Sequence, residues 1–184
     1  MSFNGDLNAT DDGLELTTKG QIHTYSTENT ALNLGTDNYV LTADSGEATG
    51  LAWLDSGSIK HQAALVIACS DETTAIAATG QKISFRMPYA MTLNAGTAGI
   101  TGSLVTAGTG VNLFTVDINE AGSTILSTKL TFDATETTTT TAATPVVISD
   151  TALAANSIIT IDVDQLDSGG VAAGLKISLI GTVT

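Results

Sequence analysis

Basic and aromatic residues are what this chain has least of. It carries 6 Lys and Arg against 19 Asp and Glu, for a formal charge of −13 over 184 residues. Nucleic-acid binding needs clustered Lys and Arg to neutralise phosphates, so nucleic acid is not an expected partner. Adhesion to an anionic membrane falls by the same argument. Aromatics are 4% of the chain, too few to line the sugar-binding cleft of a glycosidase. A single cysteine, Cys69, leaves no intrachain disulfide to form. It ends the apolar stretch at residues 63–69, where a buried small hydrophobe is expected rather than a nucleophile. That stretch is the longest apolar run and is much too short to span a bilayer. The opening MSFNGDLNATDD has no basic start and no apolar segment, so no signal peptide is expected and synthesis in a reducing cytoplasm is.

What the chain does have is strand and turn material. Only 14% of residues are charged and the mean hydropathy is +0.24, so apolar content is ample for a folded core. Thr, Val, Ile, Ala and Gly dominate, and these suit pleated surfaces and tight turns. The composition predicts an all-β protein.

Residues 35–54, GTDNYVLTADSGEATGLAWL, read as a β-hairpin. Larger apolar groups recur at every second residue on both sides of the turn sequence Asp44-Ser45-Gly46-Glu47. A lone hairpin is marginal in water and needs a further surface to cover it. Tyr39, Leu41, Leu51 and Trp53 are therefore the candidate subunit-contact residues. Residues 1–34 are polar, with scattered apolar anchors at Phe3, Leu7, Leu14, Leu16, Ile22, Leu32 and Leu34. They predict an extended arm or a set of short strands that orders against something else. With the hairpin they form a module over 1–58, ending at the linker-like Asp55-Ser56-Gly57-Ser58.

From residue 59 to 184 strand-length segments alternate with Gly-rich turns. The expected strands are 63–69, 74–78, 81–87, 91–93, 99–106, 113–119, 124–132, 145–148, 158–164 and 175–180. Ile83 and Phe85, Val116 and Ile118, Ile161 and Val163, and Ile177 and Leu179 each fall on the apolar side of an alternating strand and should be buried. That pattern predicts a jelly-roll-like antiparallel β-sandwich. The Thr-rich run 135–144 predicts a polar strand or an edge loop, since stalk-forming Pro is missing around it.

Chemistry-bearing constellations are weak. His23 and His61 lie far apart with no metal-ligand spacing around them. No nucleophile elbow, zinc-binding helix or phosphate loop is present. Asp162, Asp164 and Asp167 crowd one stretch as Ca²⁺ ligands do, but Leu166 stands where an alternate ligand belongs, and the wet face of a strand is the favoured explanation. Asp117 with Glu120, and Asp133 with Glu136, are formal carboxylate pairs without a cleft. No catalytic residue, metal or cofactor is expected.

The 35–54 segment, with residues 5–34 before it, resembles the GT…VLTAD…ATGL.W stretch of virion appendage proteins of tailed bacteriophages. Residues 83–93, ISFRMPYAMTL, and 114–126 resemble β-sandwich domains of the same class. The resemblance implies a structural virion protein, a capsid decoration, cement or head-fibre subunit, often homotrimeric and contacting the major capsid protein or other virion proteins. The alternative it carries is a tail-fibre module that recognises the host surface.

Overall fold

The structure, a computed structural model, describes residues 16–26 and 29–184, with Asn29 described by its backbone alone. The expected arm over 1–15, with Phe3, Leu7 and Leu14, lies outside the described residues. Contacts divide the chain into two units, Met1–Ile59 and Lys60–Thr184. All strand pairing among the described residues is antiparallel.

Among the described residues the first unit holds two separate hairpins. Strands β1 (Ile22–Tyr25) and β2 (Asn29–Leu32) pair with Ile22 opposite Leu32. Strands β3 (Tyr39–Ala43) and β4 (Leu51–Asp55) pair with Leu41 opposite Trp53. A 3₁₀ turn at Ser56–Ser58 follows, opened by the Asp55 carboxylate, which accepts the Gly57 N–H at 3.0 Å. None of the described residues of this unit is buried.

The second unit is built from twelve strands among the described residues: β5 (Gln62–Ala68), β6 (Gly80–Arg86), β7 (Met91–Leu93), β8 (Ile100–Ser103), β9 (Phe114–Glu120), β10 (Ser123–Thr124), β11 (Leu126–Thr128), β12 (Leu130–Phe132), β13 (Val147–Ile148), β14 (Ala152–Leu153), β15 (Ile158–Gln165) and β16 (Lys176–Val183). One five-stranded sheet runs β14-β7-β16-β5, with β8 also on β16. The other runs β10-β9-β15-β6, with β12 also on β9. Strands β11 and β13 form a separate pair. In chain order the first strand pairs with the last, β6 with β15, β7 with β14, and β9 with β10 and β12. The unit is thus a ribbon doubled back near its middle.

Alternation explains the core. Val116 and Ile118 on β9, Ile159, Ile161 and Val163 on β15, and Ile177 and Leu179 on β16 are fully buried in one cluster fed by both sheets. Each such side chain contributes roughly 1.5–3 kcal/mol relative to exposure. Phe114 and Phe132, opposite each other in register, meet edge to face with centroids 5.8 Å apart. Gly102 makes room for that pair, since a Cβ there would lie 2.7 Å from the Phe132 ring.

Three expectations change, and a fourth resolves to one of its two readings. Ile83 and Phe85 are half-buried rather than buried, because β6 is the outermost strand of its sheet and has a neighbour on one side only. Residues 74–78 form no strand; Ile76 is buried with its N–H donating to the Ala172 carbonyl at 2.8 Å. The 124–132 stretch is three short strands, because the chain leaves β9 at Ile125, pairs with β13, and returns to β9 at Leu130. Of the two readings of the Thr run the loop holds, fixed by buried Thr139, whose Oγ1 accepts the Gly102 N–H at 2.8 Å.

Candidate functional site

Tyr39, Leu41, Leu51 and Trp53 occupy one face of the β3–β4 hairpin, because register and period-2 alternation put all four on the same side. Tyr39 is 41% exposed, and the other three are half-buried. The loop between the strands is closed by the Asp44 carboxylate, which accepts the Gly46 N–H at 2.8 Å, and by the Asp44 N–H on the Gly50 carbonyl at 2.9 Å. Trp53 already has a partner in its own chain. Its indole N–H donates to the Asn33 carbonyl at 2.7 Å, and its ring lies so close over Gly35 that a Cβ there would sit 2.6 Å away. The connection between the two hairpins therefore covers part of the indole. On the reverse face Val40 and Leu54 stand opposite each other, both exposed. Sequence reasoning missed this second apolar pair, because attention to one face of an alternating strand hides apolar residues on the other. Leu16, Tyr25 and Leu34 are exposed in the same unit.

The acidic stretch at the end of β15 separates into two arrangements. Asp162 accepts the Asn119 amide at 2.6 Å and the Thr160 hydroxyl at 3.1 Å. Asp164 pairs with Lys129, whose Nζ also lies 3.0 Å from Asp117. Asp117 is buried, and its second oxygen takes the Thr124 hydroxyl at 2.6 Å and the Ile118 N–H at 2.8 Å. Hydrogen bonds to Asp164 and Asp117 hold the Lys129 ammonium above its ordinary range. Asp167 does different work. Burial opposes its charge, but the N–H groups of Thr109, Val171, Ala172 and Gly170 outweigh that and hold the carboxyl below its usual value. It ties the 108–110 loop to the 167–172 loop, with the Thr109 N–H at 2.9 Å. Its Oδ2 takes the Thr109 and Val171 N–H groups, while its Oδ1 is buried with no hydrogen-bond partner among the described residues.

The other carboxylates of the formal pairs are engaged with the backbone or with hydroxyls. Glu120 accepts the Ala154 N–H, Asp133 the Ala143 N–H, and Glu136 the Thr141 hydroxyl. His23 is exposed on β1 and His61 is exposed just before β5. Among the described residues no three His, Cys, Asp or Glu side chains gather as metal ligands. Burial pushes the Cys69 thiol up to about 12, against an opposing hydrogen bond from the Ile177 backbone. A recess of about 280 Å³ is lined by Asp71, Thr74, Ile76 and Lys82 among others. Its charged groups are taken: Asp71 accepts the N–H groups of Thr73 and Thr74, which holds it well below the usual carboxylate range, and Lys82 donates to the Ala78 carbonyl.

Compared with known proteins, the chain matches no protein-family model and no curated sequence.

Proposed function

We propose that this chain is a structural protein of a tailed-phage virion, a capsid decoration, cement or head-fibre subunit that catalyses nothing. Residues 59–184 are a jelly-roll β-sandwich that covers or projects, and residues 1–58 are the attachment module. The jelly roll is supported by the strand order. Counted as eight positions along the chain (β5, β6, β7 with β8, β9, β10 with β12, β14, β15, β16), the sheets read 1-8-3-6 and 2-7-4-5. That order is a doubled ribbon wrapped into two Greek keys.

The observation that carries the functional reading is the first unit's lack of any buried described residue alongside exposed Tyr25, Leu34, Tyr39, Val40 and Leu54. Two hairpins with so little cover are marginal alone, so their stability comes from a partner. That partner is the virion: further copies of the chain, as a homotrimer, and the major capsid protein. An exposed −13 subunit is repelled by most anionic cell envelopes, which favours the shell over the host surface.

Particles lacking the protein are expected to lose their genome at lower temperature or under milder osmotic shock. Normal robustness with failed adsorption would instead establish the tail-fibre alternative. Trp53→Ala is expected to weaken assembly by about 2 kcal/mol, as loss of a large aromatic at a contact does. A chain that stays monomeric on the particle would overturn the trimer.

A further inference from the structure

In the two five-stranded sheets of the second unit six described strands have a neighbour on one side only, and five of them are short or guarded against pairing with another chain; β8 and β12 are four and three residues long. Strands β10 and β14 are two residues long. Strand β6 carries Lys82 and Arg86, and its register with β15 shifts at Ile161. Short length, cations and bulges are the usual guards of a sheet edge. Strand β5 has none of them. It is seven residues, QAALVIA, with no charge, no Gly and no Pro. Its register with β16 is unbroken from Gln62 to Ala68, and no described strand lies along its other side.

The hydrogen-bond phase shows what that side offers. The Cys69 N–H donates to the Leu175 carbonyl and the Val183 N–H donates to the His61 carbonyl. Odd-numbered residues therefore spend their main-chain groups on β16, and the N–H and C=O of Gln62, Ala64, Val66 and Ala68 point away from it. Val66 is also 68% exposed. Inward-facing Leu65 and Ile67 pack on the core but are covered only in part.

We propose that β5 pairs with β5 of a second copy of this chain, antiparallel, about a two-fold axis at Val66. Antiparallel self-pairing centred there matches the free groups residue for residue. Val66 meets Val66, Ala64 meets Ala68, and Leu65 lies beside Ile67. Charge does not oppose it: in a chain of −13 the strand itself bears no carboxylate, and Lys60 of each copy comes to the Glu72 end of the other, where Glu72 pairs with Lys176 of its own chain. The two sheets then join as one, and the most exposed edge of the unit disappears.

The test uses the full chain. Val66→Cys is expected to form a covalent dimer under mild oxidation, because facing Cα atoms of a bonded pair lie about 5.5 Å apart, within disulfide reach. Val111→Cys, at the most exposed apolar site, is the control and should not. Val66→Lys and Val66→Glu should each halve the mass measured by sedimentation, with an unchanged circular-dichroism spectrum, and mixing the two should restore it. A wild-type monomer at high concentration, a mass unaltered by Val66→Lys, or a Val66→Cys protein that oxidises no faster than the Val111 control would each overturn the proposal. The readout is separate from the virion role: a trimer through the first unit becomes a hexamer with this contact, and remains a trimer without it.

Discussion

Val116, Ile118, Ile161 and Ile177 in Lys60–Thr184 are fully buried, while Leu41 and Trp53 in Met1–Ile59 are half covered and Val40 and Leu54 are exposed. The local sequences are alike: short strands with an apolar group at alternate positions. What differs is whether the chain supplies a second sheet to receive those groups. In the second unit the ribbon doubles back and does so; in the first, each hairpin is its own two-stranded sheet. Alternation fixes which face is apolar, and the count of neighbouring strands fixes whether that face is dry.

The sharpest way to break this comparison is to damage one core and watch both units. Phe132→Ala removes half of the Phe114–Phe132 pair and is expected to cost about 3–5 kcal/mol. Urea unfolding followed by far-ultraviolet circular dichroism would measure it. Trp53, the only Trp, lies in the first unit, so its emission transition should stay in place. Equal movement of both transitions would mean that the two units unfold as one.

A smaller effect is expected at Asp167. Asp167→Ala leaves the Thr109 and Val171 N–H groups without their acceptor and should cost about 1–3 kcal/mol in the second unit. The pH dependence has a definite sign. A carboxyl whose folded value lies below its unfolded value stabilises above about pH 4 and loses that contribution as the pH falls through the folded value. Acid titration should therefore destabilise the wild type more steeply than Asp167→Ala. Parallel acid curves would remove Asp167 from this role.

Gly35→Ala sharpens the comparison from the other side. A methyl there displaces the indole from the 33–35 segment, so Trp53 emission should shift to the red while the melting of the second unit is unchanged. Least of all, Cys69 should resist thiol reagents at pH 8 until the second unit opens, since burial keeps it protonated. Labelling at the rate of a free thiol would contradict its burial.

The alternating faces of β9, β15 and β16 were legible because each residue's environment is set by its own strand. Edge position was not. Ile83 and Phe85 have the same pattern as core residues, and only the order of strands, a property of the whole chain, leaves them partly wet. The buried Asp117 carried no local signal either, since its partner Lys129 arrives from another strand connection. At the hairpin, the face shared by Tyr39, Leu41, Leu51 and Trp53 could be read from spacing. The cover that Asn33 and Gly35 give Trp53 could not, because it depends on how the chain turns between two hairpins.

The doubled ribbon also sets a schedule for biosynthesis. Strand β16 comes last in its sheet and pairs with β5, β7 and β8, so three strands wait on a ribosome that has yet to translate codons 176–183. Loop closure over nearly the whole unit precedes any reward from that pairing, which makes folding slow by topology. Until then the nascent chain displays β5 open along both sides, a period in which crowded polysomes favour chaperone capture or premature strand exchange between neighbours. The described pairings of Met1–Ile59 are all hairpin-local and meet no such delay.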